Sequence, residues 1–182
     1  MFKDNLLFKE EQEEIANSIV ENFKPGTNIG NGLVICIFGI SGTGKTEVAW
    51  WTSRKLYDKN FSSHIISLDR FYRIPVLDRE DYRRRTRIIG AEEMDWIRIE
   101  EEIEAFRTLD KIDVLIVEGL YAGYIEPSNL RVYLEGTIES TYEFRKLRGK
   151  ENPDSSWRHF ILTKENDAVF KSLKDTDEIY KT

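Results

Sequence analysis

The sequence predicts an α/β fold in three layers, a mainly parallel β-sheet with helices on both faces. Three observations predict it. Short apolar runs alternate along the chain with helical patterns, the order that produces strand–helix–strand crossovers and a parallel sheet. The run 33–38 is apolar without a break, as a strand buried on both faces requires. A glycine-rich loop stands directly after it and leads into a stretch without Gly or Pro, from Thr46 to Tyr57.

The elements follow in chain order. Residues 9–23 carry Ile15, Ile19, Val20 and Phe23 at helical spacing, which predicts an amphipathic helix packed on the outside of the sheet. Pro25 and Gly26 end it, and a loop runs to Gly32. The first strand, the glycine loop and the helix 46–57 come next. That helix holds Trp50 and Trp51, whose directions differ by roughly 100°, so the two rings are not expected to share one pocket. A second strand over 64–68 ends at Asp69. Residues 70–93 show the least regular pattern and are rich in arginine, with Asp78, Glu80 and Asp81 interspersed. A helix is predicted over 94–109 with Ile97, Ile103 and Phe106 inward. A third strand over 112–117 ends at Glu118, and a fourth covers 130–134. A charged helix over 138–148, a polar stretch to Ser156, a further helix and a closing segment over 175–180 complete the chain.

The loop itself is Gly39-Ile40-Ser41-Gly42-Thr43-Gly44-Lys45-Thr46, which fits G-x-x-x-x-G-K-[ST] at every fixed position. Between a strand and a helix this is a phosphate-binding P-loop. Its glycines let successive backbone N–H groups turn inward, and the helix N-terminus adds partial positive charge. Gly39, Ser41, Gly42, Thr43 and Gly44 are thus expected around the phosphates, with Lys45 on the β- and γ-phosphates and the Thr46 hydroxyl on Mg²⁺. The fold class is accordingly that of a P-loop NTPase. In such a sheet ligands gather at the C-terminal strand ends, where the second and third strands bring Asp69 and Glu118. A P-loop that holds ATP needs a further acid to steer Mg²⁺, and a kinase would also gain from a carboxylate that accepts the acceptor hydroxyl's proton. These two residues are the candidates.

Composition narrows the function classes. The chain has 182 residues, a formal net charge of −6 and one cysteine, Cys36, inside the first predicted strand. The length suits one domain, 1–182. The charge gives no general reason to bind nucleic acid or an anionic membrane. No apolar run approaches the ~20 residues that span a bilayer, and residues 1–14 lack the apolar core of a signal peptide. With no disulfide partner for Cys36, a reducing, cytoplasmic setting is the expectation.

Three segments together carry a family likeness: the P-loop, Ser67-Leu68-Asp69-Arg70-Phe71-Tyr72, and Val117-Glu118-Gly119-Leu120-Tyr121-Ala122. In this order and spacing the chain resembles the uridine kinase, phosphoribulokinase and pantothenate kinase family of P-loop kinases, over roughly residues 33–148. The resemblance implies an ATP- and Mg²⁺-dependent kinase acting on a hydroxyl of a nucleoside or similar metabolite. It implies that Asp69 is the catalytic base, that Tyr72 lies near the acceptor with Tyr121 in the same region, and that Thr46 and Glu118, with Asp69, surround Mg²⁺. It implies a lid over 137–165 whose Arg145 and Arg148 close on the phosphates, between a core at 33–136 and a C-terminal segment at 166–182.

The chain also departs from that family. Uridine kinases carry a Phe-Asp-His-Pro segment that helps build the nucleoside pocket; here Glu93-Met94-Asp95-Trp96 occupies the comparable region, and Asp95 is either an acceptor contact or a helix N-cap. The lid lacks the usual Arg-Asp pair, and Arg158 is a candidate for the missing charge. The arginines of 70–87 read either as a solvated helix with mixed-sign pairs or as readers of an anionic acceptor, a phosphosugar or a pantothenate-like acid, with Arg83 the chosen candidate. A nucleotide-binding regulatory ATPase without a small-molecule acceptor stays open as a rival, as does a homo-oligomer.

Overall fold

The computed structural model describes residues 6–22, 32–108, 112–148 and 155–182. Five strands, β1 (Leu33–Gly39), β2 (Ser63–Ser67), β3 (Val114–Glu118), β4 (Leu130–Glu135) and β5 (Glu178–Lys181), form one parallel sheet in the order β2-β3-β1-β4-β5. The helices are α1 (Glu10–Asn22), α2 (Lys45–Asp58), α3 (Val76–Thr86), α4 (Trp96–Arg107), α5 (Tyr142–Arg148) and α6 (Ser156–Lys171).

The strand period of two sorts the central residues into two cores. Ile35, Ile37, Val114, Ile116, Val132 and Leu134 meet Ile15 and Ile19 of α1 and Val48, Ala49 and Leu56 of α2. Val34, Cys36, Phe38, Leu115, Val117 and Tyr133 meet Ile99 and Ile103 of α4 and Ala168 and Val169 of α6. Both faces of β1 are therefore covered, which is the reason its sequence is apolar without alternation. Cys36 is fully buried there, and burial pushes its thiol pKa up to about 12. Among the described residues no helix is long and apolar enough to cross a membrane.

Four features differ from the sequence-based expectation. Residues 70–93 are more regular than their pattern suggested: α3 starts after Pro75 and ends where Arg87 turns left-handed at φ 60°. Its only buried residue is Arg83, so no apolar stripe announces it. In α4 the inward positions are Ile99 and Ile103, four apart, whereas Ile97 is 69% exposed. Asp95 caps that helix, and the cap sets its phase. Trp50 and Trp51 do share a partner: Phe8, just before α1, lies 4.9 and 5.8 Å from their rings, which meet edge-on at 4.9 Å. The closing segment is a fifth strand, short and on the sheet edge, with Ile179 exposed.

The register places the chemistry. Ile37 of β1 pairs with Glu118 of β3, which on its other side pairs with Ser67 of β2. The chain therefore leaves β1, β3 and β2 at one level, just before the P-loop, just after Glu118 and just before Asp69.

Candidate active site

The P-loop wraps the start of α2. Gly42 and Gly44 have φ of 92° and 78°, values that L side chains rarely adopt. A Cβ on Gly42 would lie 2.9 Å from both Arg145 Cγ and Thr141 Cβ. Gly44 is the N-cap of α2 and supplies no side-chain acceptor, so no cap competes for the first-turn amides of this 14-residue helix. Such a terminus is an anion site. Thr43 Oγ1 and Lys45 Nζ both donate to the Ile40 carbonyl, at 3.0 and 2.8 Å, and hold the loop's curl.

Next to the loop, Thr46 Oγ1 donates to Glu118 Oε2 at 3.3 Å. Glu118 is 3% exposed at the end of β3. Burial, and then the negative charge of Asp69, push its carboxyl up to about 7, against the opposing effects of Ser67, Lys45 and Thr46. A buried carboxylate raised by a neighbouring carboxylate is a place where a cation lowers the energy. Among the described residues no three His, Cys, Asp or Glu side chains cluster to cage a metal. Thr46, Asp69 and Glu118 instead form a sparse, all-oxygen set. That set fits Mg²⁺, which takes one or two carboxylates and completes its shell with water and substrate phosphate.

Asp69 lies on a 3₁₀ turn (Leu68–Phe71) directly after β2 and is exposed to the cleft. The turn is pinned by an antiparallel bridge between Tyr72 and Met94, with Arg73 N donating to Glu93 O at 2.9 Å and Asp95 N to Phe71 O at 2.8 Å. Tyr72 stands beside Asp69 with its phenol held protonated by burial, its pKa pushed above the ordinary range.

These groups line one cleft of about 680 Å³, bounded by the P-loop, the Asp69 turn, β3's end, α3, Arg145 of α5 and the first half of α6. It brings together Ser41, Gly42, Gly44, Lys45, Thr46, Asp69, Tyr72, Arg83, Glu118 and Arg145 of the sequence-derived set. Gly39 and Thr43 are outside the lining. Arg145 is buried against Gly42, donating to Thr141 Oγ1 and, at 2.9 Å, to Ile138 O. The Arg148 side chain and residues 149–154 of the expected lid lie outside the described residues.

Two acceptor candidates lie outside the lining, and a third is already paired. Asp95 is outside the cleft lining: its carboxylate accepts from Arg98 N at 3.4 Å and caps α4. Tyr121 is 1% exposed, in the core beside α4 and α6, and is outside the lining as well. Arg83 does line the cleft, but it is 5% exposed and committed to carboxylates. Its Nε and Nη2 donate to Glu93 at 2.7 and 2.8 Å, and Nη1 lies 3.1 Å from Glu165. It ties α3 both to Glu93 and to Glu165 of α6 rather than offering a free fork.

The sequence reading missed Arg79, Trp157, Ile161 and Glu165, all in the lining. The last three, spaced four apart, share one face of α6. A polar member in an otherwise apolar i, i+4, i+8 stripe was the available signal. Arg84 and Arg87 stack over Trp157 at 4.7 and 5.0 Å, and Arg84 pairs with Glu80 in the i, i+4 manner expected of a solvated face.

No protein-family model and no curated protein sequence matches the chain. Solved structures do match it in fold. One is a proposed fructose transport system kinase from Silicibacter sp. TM1040, 14% identical, with a TM-score of 0.70 over 94% of this chain and 100% of the other. A second is a proposed uridine kinase from Bacillus stearothermophilus, 14% identical, with a TM-score of 0.51 over 94% and 97%. A third is the YGR205w protein, 13% identical, with a TM-score of 0.58 over 91% and 87%. At these identities the likeness is one of fold: an α/β architecture with an all-parallel sheet, shared with structures of which two are described as kinases.

Proposed function

We propose that this chain is an ATP- and Mg²⁺-dependent kinase that transfers the γ-phosphoryl group to a hydroxyl of a small metabolite. The observation that carries the reading is the convergence of Lys45, Thr46, Glu118 and Asp69 at one sheet edge, in a single cleft. The likeness to proposed fructose transport system and uridine kinases supports it.

In this reading the P-loop amides and Lys45 hold the β- and γ-phosphates, and Arg145 beside Gly42 faces charge that develops on the transferred group. Bound Mg²⁺ neutralises phosphate charge and orients the triphosphate; Thr46 and Glu118, with Asp69, are the residues that would hold it. Asp69 orients the acceptor hydroxyl. As the new O–Pγ bond forms, the hydroxyl proton passes to Asp69. The bond from Pγ to the β-bridging oxygen breaks, and ADP leaves with its electron pair.

A nucleoside, as in uridine kinases, and an acid or phosphosugar are the acceptor classes the sequence leaves open. An ATP-consumption screen over both classes tests the assignment. With the acceptor found, Asp69→Asn should retain ATP affinity and lose about 10²- to 10⁴-fold in transfer, the usual contribution of a positioned base. Normal turnover by that variant would remove Asp69 from the role.

A further inference from the structure

We infer that the acceptor carries an anionic group, a carboxylate or phosphate, and that Arg79 is the residue that reads it. The inference rests on the kinase reading above and names its substrate class.

The argument is one of charge pairing. α3 and α6 bring four arginines to the cleft lining, Arg79, Arg83, Arg84 and Arg158, against two carboxylates, Glu80 and Glu165. Three of the four face a carboxylate: Arg83 meets Glu93 at 2.7 Å, Arg84 meets Glu80 at 2.6 Å, and Arg158 stands 3.9 Å from Glu165. Arg79 faces none among the described residues. Its Nη2 makes one long contact, 3.5 Å to the Ile74 carbonyl, and its Nε is buried without a hydrogen-bond partner. A buried N–H left unmade is costly, more so on a charged group.

The guanidinium is also held in place. Its carbon sits 3.5 Å from the centre of the Tyr72 ring, a face-on stack. The stack holds the guanidinium in the cleft wall, and a guanidinium's planar fork matches carboxylate and phosphate oxygens in pairs. Tyr72 follows Asp69 by three residues across a pinned 3₁₀ turn. An anion gripped at Arg79 therefore anchors one end of a small molecule whose hydroxyl is presented to Asp69. A neutral nucleoside leaves the guanidinium charge without a counterpart.

The test uses the full chain, ATP and Mg²⁺, and acceptors matched in length. These are glycerol, glycerate and glycerol 3-phosphate; ribose, ribonate and ribose 5-phosphate; and uridine with uridine 5′-monophosphate. The expected result is turnover confined to acids or phosphates, the better of the two telling carboxylate from phosphate. Arg79→Met should then raise the acceptor KM by about 10- to 100-fold, the worth of a charge-assisted pair, and leave the ATP KM unchanged. Arg79→Lys, which keeps the charge and loses the planar fork, should fall between. Unaltered ATP KM and melting temperature in both variants exclude misfolding as the cause. Best turnover with a neutral acceptor, or an acid acceptor indifferent to Arg79, overturns this inference and leaves the kinase reading standing. No stimulation of ATP consumption by any of the eight compounds overturns both.

Discussion

Replacing Arg83 by methionine separates the two meanings its position can have. The side chain makes bonds of 2.7 and 2.8 Å to Glu93 and lies 3.1 Å from Glu165, with both carboxylates buried. Methionine fills much of the volume but takes the guanidinium away from two buried carboxylates, leaving Glu93 without its partner and Glu165 with only Arg158 at 3.9 Å. Breaking a buried pair in this way costs about 3–5 kcal/mol. For a chain of this size each kcal/mol shifts the melting temperature by about 2–4 °C, so the expected fall is about 6–20 °C. Calorimetry and urea unfolding measure it. A companion variant with Arg83, Glu93 and Glu165 all changed to methionine removes the stranded charges and should recover most of the loss, because the desolvation cost of the whole network disappears with it. An Arg83→Met protein that melts within 2 °C of the parent, yet has a greatly raised acceptor KM, would refute the structural assignment and restore Arg83 as an acceptor contact.

Other consequences are read more simply. Gly42→Ala should weaken ATP binding, since its Cβ would press at 2.9 Å on Arg145 and Thr141 at a φ of 92°; the left-handed strain alone is about 1–2 kcal/mol, and isothermal titration with ATP checks it. Cys36 should resist thiol reagents in the native state, because its thiol is buried and its pKa is pushed up to about 12. The sign is that of an acid held neutral by the fold: its contribution to stability is complete below the unfolded thiol's pKa near 9 and declines as pH rises from there toward 12. Labelling between pH 7 and 9 should therefore follow the unfolding equilibrium, and fast labelling of folded protein would contradict the burial.

Much of the architecture was legible in the sequence because the strands that matter are buried on both faces. Leu33–Gly39 and Val114–Glu118 have nowhere to place a polar residue until they emerge, so their ends are marked by the first Gly and the first Glu. The edge strand Glu178–Lys181 has one solvated side and four residues, too little pattern to announce itself. α3 was obscured for a different reason. Its single inward side chain is an arginine, and a charged residue gives no apolar stripe to count.

The sequence by itself determined that a loop of P-loop pattern follows a buried strand, and that an acid stands at the end of each of two later strands. Local rules suffice for this, since glycine spacing, a helix start and apolar runs are properties of adjacent residues. Which arginine is tied into buried carboxylates and which lines the cleft without one was decided only by tertiary structure. Arg79 and Arg83 lie one helical turn apart and look alike in the chain. Only the packing of α6 against α3, which sets Glu165 beside Arg83 while Arg79 stacks on Tyr72, assigns them different work. Charge pairing in a folded protein depends on neighbours distant in sequence, and no local pattern records them.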